Sequence, residues 1–377
     1  MLQLARYRGP TVVIAGLLVW LVVLDIALTS AVGFTGGWLP NSELPTDSGV
    51  FLVTGGRLSG IRAQPEPVGL GTEKPFGVFL GQSSLGATVE SDVVEQQDGL
   101  PLRWLNLHGW GSSVNLVRDV AELLFLSDLK PNIVVFAINP FMLIGIDFPT
   151  QHAFLAEEEG KNLKKWIWIY NNRAPVNHGC RVLMHRIKLG LCRRFGFDFR
   201  ALYPAKPDPW KTSPRTRLAP DSPAQQAVRL EHFRKLGWFE PGRYSPESTS
   251  SRALVDLVRE SRARGAKVGI ILMPEHSAMR KRVPAEGARC FAEINRINFR
   301  DDPVPVYDLR DSISDDLFVD VVHPGVDGTR PASTLVAQCV RDILSAHPAP
   351  EKLRAAAHGQ PSGVTAGEDA GRDPPGS

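Results

Sequence analysis

Two short stretches, far apart in the chain, carry residue types that together can activate a nucleophile. The first is Phe79-Leu80-Gly81-Gln82-Ser83-Ser84-Leu85-Gly86, an apolar run that ends in a small-residue turn bearing two hydroxyls. Phe76 to Leu80 has the composition of a buried strand and the residues from Ala87 onward can begin a helix, so Ser83 is expected at a strand-to-helix turn. Such a turn presents a side chain and free backbone N–H groups at the carboxyl edge of a parallel sheet. Serine is also a favoured helix cap, so a structural role competes with the nucleophilic one, and Ser84 is a lesser alternative nucleophile. The second stretch is Phe318-Val319-Asp320-Val321-Val322-His323-Pro324. Here Asp320 can accept from one imidazole nitrogen of His323 while the other nitrogen faces a hydroxyl. That is the logic of a base that takes a serine proton and a carboxylate that fixes its tautomer. A structural Asp–His hydrogen bond would give the same pattern, so the pair gains weight only in combination with the serine turn.

The elements that must bring these stretches together are read from the hydrophobic pattern. Strands are expected at 76–80, 102–107, 133–138, 268–273 and 304–307. Helical spacing marks 114–126, a helix opened by Ser245-Pro246-Glu247 and ended by Gly265, and a helix through Leu335, Val336 and Val340. Strands alternating with helices over short links argue for a parallel sheet covered on both faces, whose right-handed crossovers bring the strand ends to one edge.

Gly81-x-Ser83 after the first strand, Asn106 with Gly111 after the second, Asn139 after the third and Asp320-x-x-His323-Pro324 before the last helix resemble, in order, the four blocks of the SGNH (GDSL-type) hydrolase superfamily, over roughly Phe76 to Leu344. The resemblance implies a three-layer α/β/α sandwich with a parallel sheet (SGNH/flavodoxin-like). It implies Ser83 as nucleophile, His323 as base and Asp320 as its orienter, with an oxyanion hole from the Ser83 N–H, the Gly111 N–H and the Asn139 side-chain amide. Donors preorganised around a developing oxyanion are worth about 3 to 4 kcal/mol each. Two positions depart from the family pattern: Gln82 stands where the family has Asp, and Pro140 follows the third-block asparagine. Pro274-Glu275-His276-Ser277 with Arg280 is similar to a stretch of bacterial membrane-anchored members of the superfamily, and assigns His276 and Arg280 to holding a polar or anionic substrate. An exposed turn is the competing reading.

The rest of the chain sets the context. Residues 1–10 carry Arg6 and Arg8, and residues 11–34 are almost uninterrupted apolar sequence broken only by Asp25. A transmembrane anchor is expected there, with the N-terminus inside and the catalytic domain extracytoplasmic; a cleaved signal peptide is the alternative, and the length of the apolar region favours the anchor. Residues 35–70 read as a juxtamembrane connector with an edge strand at Val50 to Val53, residues 71–347 as the catalytic domain and residues 348–377 as a disordered tail.

Within the catalytic domain, 150–244 is an insertion. Its stretch Lys161 to Arg217 holds fourteen Lys and Arg against two Asp, in a chain of net charge only +3. Arg181 to Phe197 places Leu183, Ile187, Leu191 and Phe195 on one helical face, either packed with a solvated basic side or contacting anionic lipid or polymer. No nucleic-acid motif is present. The four cysteines form no C-x-x-C pair, so no zinc site is expected, and no cofactor is expected; Cys180 and Cys192 are near enough to bridge in an exported domain. Together these features point to a membrane-anchored serine esterase acting on an acyl ester of an envelope polysaccharide or lipid. Two alternatives stand beside it: an acyltransferase working with a multipass membrane partner, and a non-catalytic polymer-binding or assembly protein.

Overall fold

The computed structural model describes residues 75–97, 99, 102–109, 114–144, 187, 189–196 and 219–346, with positions 16, 20, 57, 58 and 61. Five strands, β1 (Phe76–Gly81), β2 (Arg103–His108), β3 (Ile133–Ile138), β4 (Lys267–Leu272) and β5 (Val306–Asp308), form one sheet in the order β2-β1-β3-β4-β5. Every pairing is parallel. The chain is thus α/β, as its strand and helix alternation requires.

Helices cover both faces, which explains why β1 and β3 are apolar along their whole length rather than alternating with polar residues. Val78, Leu80, Val134, Phe136 and Ile138 point to one face. There they meet α3 (Val114–Leu126), α5 (Thr249–Ala263) and α7 (Ala285–Asn298) through Val117, Val120, Leu254, Leu257 and Phe291. Phe79, Trp104, Val135 and Ile271 point to the other face. They meet α1 (Ser83–Thr88), α2 (Ser91–Gln97) and α8 (Val326–Ala346) through Leu85, Val94, Val336, Val340 and Ile343. On this face the Trp104 ring stacks on Phe79 at 4.4 Å, lying over Gly77, where a Cβ would fall 2.4 Å from the indole. Two further helices are α4 (Pro223–Lys235) and the single turn α6 (Ser277–Arg280).

Two local expectations change. The helix expected from Ser245-Pro246 begins at Thr249, capped by Ser248, whose Oγ accepts from Ser251 N at 3.0 Å and donates to Leu143 O at 2.9 Å. Ser245 instead closes a turn in which its carbonyl accepts from Ser248 N at 3.1 Å. The C-terminal end stands where expected, at Gly265 with φ +85°. The second change concerns the insertion, whose last part is built into the body. Phe233 and Phe141 stack on opposite sides of Trp238, each at 4.2 Å, and Tyr244 donates to Trp238 O at 2.6 Å.

In the basic helix, Leu189 and Cys192 are buried and Phe195 is 66% exposed. The inward face is therefore rotated from the one expected through Leu191 and Phe195. The expected span at 11–34 lies outside the described residues apart from Gly16 and Trp20, both helical. Among the described residues no helix is long and apolar enough to cross a membrane. The edge strand at 50–53, Cys180 and the tail at 348–377 also lie outside the described residues.

Candidate active site

The strand order itself marks a place for a site. The chain leaves β1 toward β2 on one side and later returns to β3 on the other, and a crevice opens at the carboxyl ends where the order reverses. Ser83 follows β1 and Asn139 follows β3, so both border this crevice. Gly81 makes the close approach possible, because a Cβ there would fall 2.3 Å from the Ala137 carbonyl oxygen of the neighbouring strand.

Ser83 is the first residue of α1, and Gln82 occupies the cap position without a side-chain capping bond. The serine therefore does not serve as a cap. Its Oγ lies 2.8 Å from His323 Nε2, across a sequence separation of 240 residues. The His323 Nδ1 lies 2.8 Å from Asp320 Oδ2. The other carboxylate oxygen, Oδ1, accepts from the backbone N–H groups of Val322 and His323, each at 2.8 Å. Because the carboxylate can only accept, Nδ1 carries the proton and Nε2 is left to accept from the Ser83 hydroxyl.

Burial alone would push the Asp320 carboxyl up. The charge that His323 carries once protonated in the acid range, its hydrogen bond, the Val322 N–H and the nearby Arg229 outweigh it and hold the carboxyl well below the usual range. The ionised form that the histidine needs is thus secured by its surroundings.

Three features hold the two stretches in register. The loop from Leu317 to Gly325 doubles back on itself, with Val319 N donating to His323 O at 3.0 Å and Gly325 N to Leu317 O at 2.7 Å. At the start of α8, Thr329 Oγ1 donates to Ala87 O at 3.0 Å and Ser333 Oγ to Thr88 O at 3.2 Å, so the helix after the histidine is tied to the helix after the serine. From the far end of the insertion, Asp221 N donates to Val319 O at 2.7 Å, and the Asp221 carboxylate binds Arg229 of α4.

The remaining expected residues behave differently. Gly111 lies outside the described residues. The Ser83 N–H has no hydrogen-bond partner among the described residues, as an oxyanion donor requires. Asn139 is at the site, but both of its amide N–H groups are engaged, with Met273 O at 3.0 Å and with Glu275 Oε1 at 2.6 Å. In this arrangement neither points at an oxyanion. Ser84 is 1% exposed and hydrogen-bonded to Gln82 and Asn139, which removes it as a nucleophile. His276 caps α6, its Nδ1 accepting from Ala278 N at 3.1 Å, and its ring meets the edge of Phe318. Its Nε2 has no hydrogen-bond partner among the described residues. Arg280 is a structural tie rather than a free cation: it donates to the carbonyls of Glu275 and Arg310 at 3.1 and 2.9 Å and pairs with Asp311.

Sequence reasoning did not single out Glu275, which is fully buried against Asn139. The signal was its place directly after β4 at the same sheet edge. Comparison with known proteins finds no family model and no curated protein that matches the chain.

Proposed function

We propose that this chain is a serine esterase of the SGNH type, with an α/β/α sandwich of flavodoxin-like strand order, that cleaves acyl esters through an acyl-Ser83 intermediate. One observation carries the reading: the unbroken relay Ser83 Oγ, His323 Nε2, His323 Nδ1, Asp320 Oδ2, with both links at 2.8 Å. In the first step Ser83 Oγ bonds to the ester carbonyl carbon while its proton passes to His323 Nε2. The imidazolium so formed is stabilised by Asp320. The tetrahedral oxyanion is met by the Ser83 N–H, with Gly111 the second donor implied by the family pattern. Collapse breaks the bond to the alcohol, which leaves with the proton from Nε2. Water then repeats the sequence on the acyl-serine, returning Ser83 and releasing the acid.

The apolar 11–34 segment and the basic character of 161–217 support an extracytoplasmic, membrane-anchored setting, with an ester on an envelope glycan or lipid as substrate. The test is hydrolysis of short-chain p-nitrophenyl esters by the full chain. Turnover that disappears in Ser83→Ala is expected; equal turnover by wild type and Ser83→Ala would refute the assignment. Supplying a glycan acceptor separates hydrolysis from transfer.

A further inference from the structure

Beneath the nucleophile's turn, a chain of four polar side chains runs from the end of β1 across β3 to β4. Ser84, Gln82, Asn139 and Glu275 are 1, 4, 1 and 0% exposed. Gln82 Nε2 donates to Ser84 Oγ at 3.1 Å and to Asn139 Oδ1 at 3.3 Å, and Ser84 Oγ donates to the same Oδ1 at 3.4 Å. Asn139 Nδ2 in turn donates to Met273 O and to Glu275 Oε1. The polarity is consistent from end to end. Turning the Asn139 amide over would set N–H against donors on one side and a carbonyl against acceptors on the other.

The chain ends on a carboxyl whose second oxygen, Glu275 Oε2, is buried and meets no donor among the described residues. An acid placed this way has one oxygen holding the network and one left to carry a proton. The charged and titratable groups facing it are Arg310 and Asp308 from the end of β5, Arg280 from α6 and Tyr244 from the segment before α5. Both cations are engaged elsewhere, Arg310 with Asp308 at 2.7 Å and Arg280 with Asp311, so neither neutralises the carboxyl directly.

We propose that Glu275 is a positioning residue for Ser83: its carboxyl clamps the Asn139 amide and, through Asn139, fixes Gln82 and Ser84 on either side of the nucleophile, so that the turn answers to whether Glu275 carries a proton. As the carboxylate, Oε1 accepts from Asn139 with full charge-assisted strength. When a proton from solvent bonds to Oε2, Oε1 becomes a carbonyl oxygen, the Asn139 contact weakens, and the nucleophile's turn is held less firmly. Burial pushes this carboxyl up to about 7, so the exchange falls in the neutral range. The proposal rests on the catalytic reading of Ser83 for its functional consequence but not for the proton-linked contact itself.

The experiment therefore has two arms. In the first, the full chain labelled with 15N-asparagine is titrated between about pH 5 and 9, following the Asn139 side-chain amide, assigned by its absence from Asn139→Ser and by correlation to Ile138. A midpoint near 7 in wild type and a flat response in the isosteric Glu275→Gln are expected. In the second, the rate of fluorophosphonate labelling is followed over the same range. Glu275→Gln, shown to be folded by a cooperative unfolding transition, loses one inflection of the wild-type profile. Glu275→Ala lowers the maximal labelling rate roughly 10- to 100-fold without weakening probe affinity. An Asn139 amide that does not titrate in wild type, or that titrates equally in Glu275→Gln, overturns the proposal. Absence of labelling with the Asn139 titration intact instead sinks the catalytic reading and leaves the proton-linked clamp standing.

Discussion

Two buried carboxyls stand at the same sheet edge, and their surroundings drive them in opposite directions. Asp320 sits in a loop that supplies two backbone N–H groups, an imidazole and the nearby charge of Arg229, and it is held ionised. Among the described residues Glu275 receives a single N–H at its carboxyl, from the Asn139 amide, and burial pushes it toward its neutral form. Burial is severe for both, so burial is not what separates them. What separates them is the positive charge and the donors set against the ionised form, supplied to Asp320 by His323, the Val322 N–H and Arg229. Pairs of acids whose environments split them apart are a recurrent way of assigning different tasks to like groups. On the proposed function, the split leaves one carboxylate held ionised beside the base and one acid whose neutral form is favoured.

The contrast can be broken at several points, with effects of decreasing size. The largest belongs to the relay. His323→Ala is expected to reduce ester turnover by roughly 10^6-fold, and Asp320→Asn by roughly 10^4-fold through loss of the productive tautomer. Steady-state kinetics of purified variants would show both, with little change in KM.

The next effect concerns stability, and the two carboxyls contribute with opposite sign. For Glu275 the folded state holds its proton while the unfolded chain has already lost it between the ordinary value of 4.5 and about 7, so stability falls as pH rises through that window and then levels off. The penalty above it is about 3 kcal/mol. Glu275→Gln should flatten this slope in denaturant unfolding across that window. For Asp320 the unfolded chain binds the proton first as pH falls below 3.8, so its contribution is fully present above that value and is lost only on further acidification. The stability deficit of Asp320→Asn should accordingly shrink in acid.

A smaller effect is purely steric. Gly81→Ala places a methyl against the Ala137 carbonyl, where the pleat between β1 and β3 has no room, and should cost about 1 to 3 kcal/mol in equilibrium unfolding. The smallest belongs to Arg229, whose side chain is 49% exposed and therefore screened. Arg229→Met should let the Asp320 carboxyl rise slightly, moving the acid unfolding midpoint to higher pH and changing turnover by no more than a few-fold.

What the sequence disclosed and what it withheld follow from the range of the interactions involved. Ser83 lies in a short stretch at the end of β1, and Asp320 and His323 lie together in the short loop before α8, so local chemistry and the order of the elements were enough to put them on one edge. The turn of Asp320 onto its own Val322 and His323 N–H groups is likewise local. Asn139 could be placed but not aimed, because the direction of its amide is decided by Glu275, 136 residues away. Glu275 and Arg280 differ by five positions and both look like polar loop residues. One turns inward to be fully buried while the other ties down the turn at residues 310 and 311, and only the tertiary packing distinguishes them. The helix start moved from Ser245 to Ser248 for a similar reason: both serines can cap, and the partner that selects Ser248 is the Leu143 carbonyl on another element.

The most direct test of the central claim is to locate the adduct formed when the full chain reacts with a fluorophosphonate probe, by mass spectrometry of its peptides. A single phosphonylated residue, Ser83, is expected, with labelling abolished in Ser83→Ala and severely slowed in His323→Ala. Modification of Ser84 or of any other residue in place of Ser83, or folded wild type that takes up no probe, would contradict it.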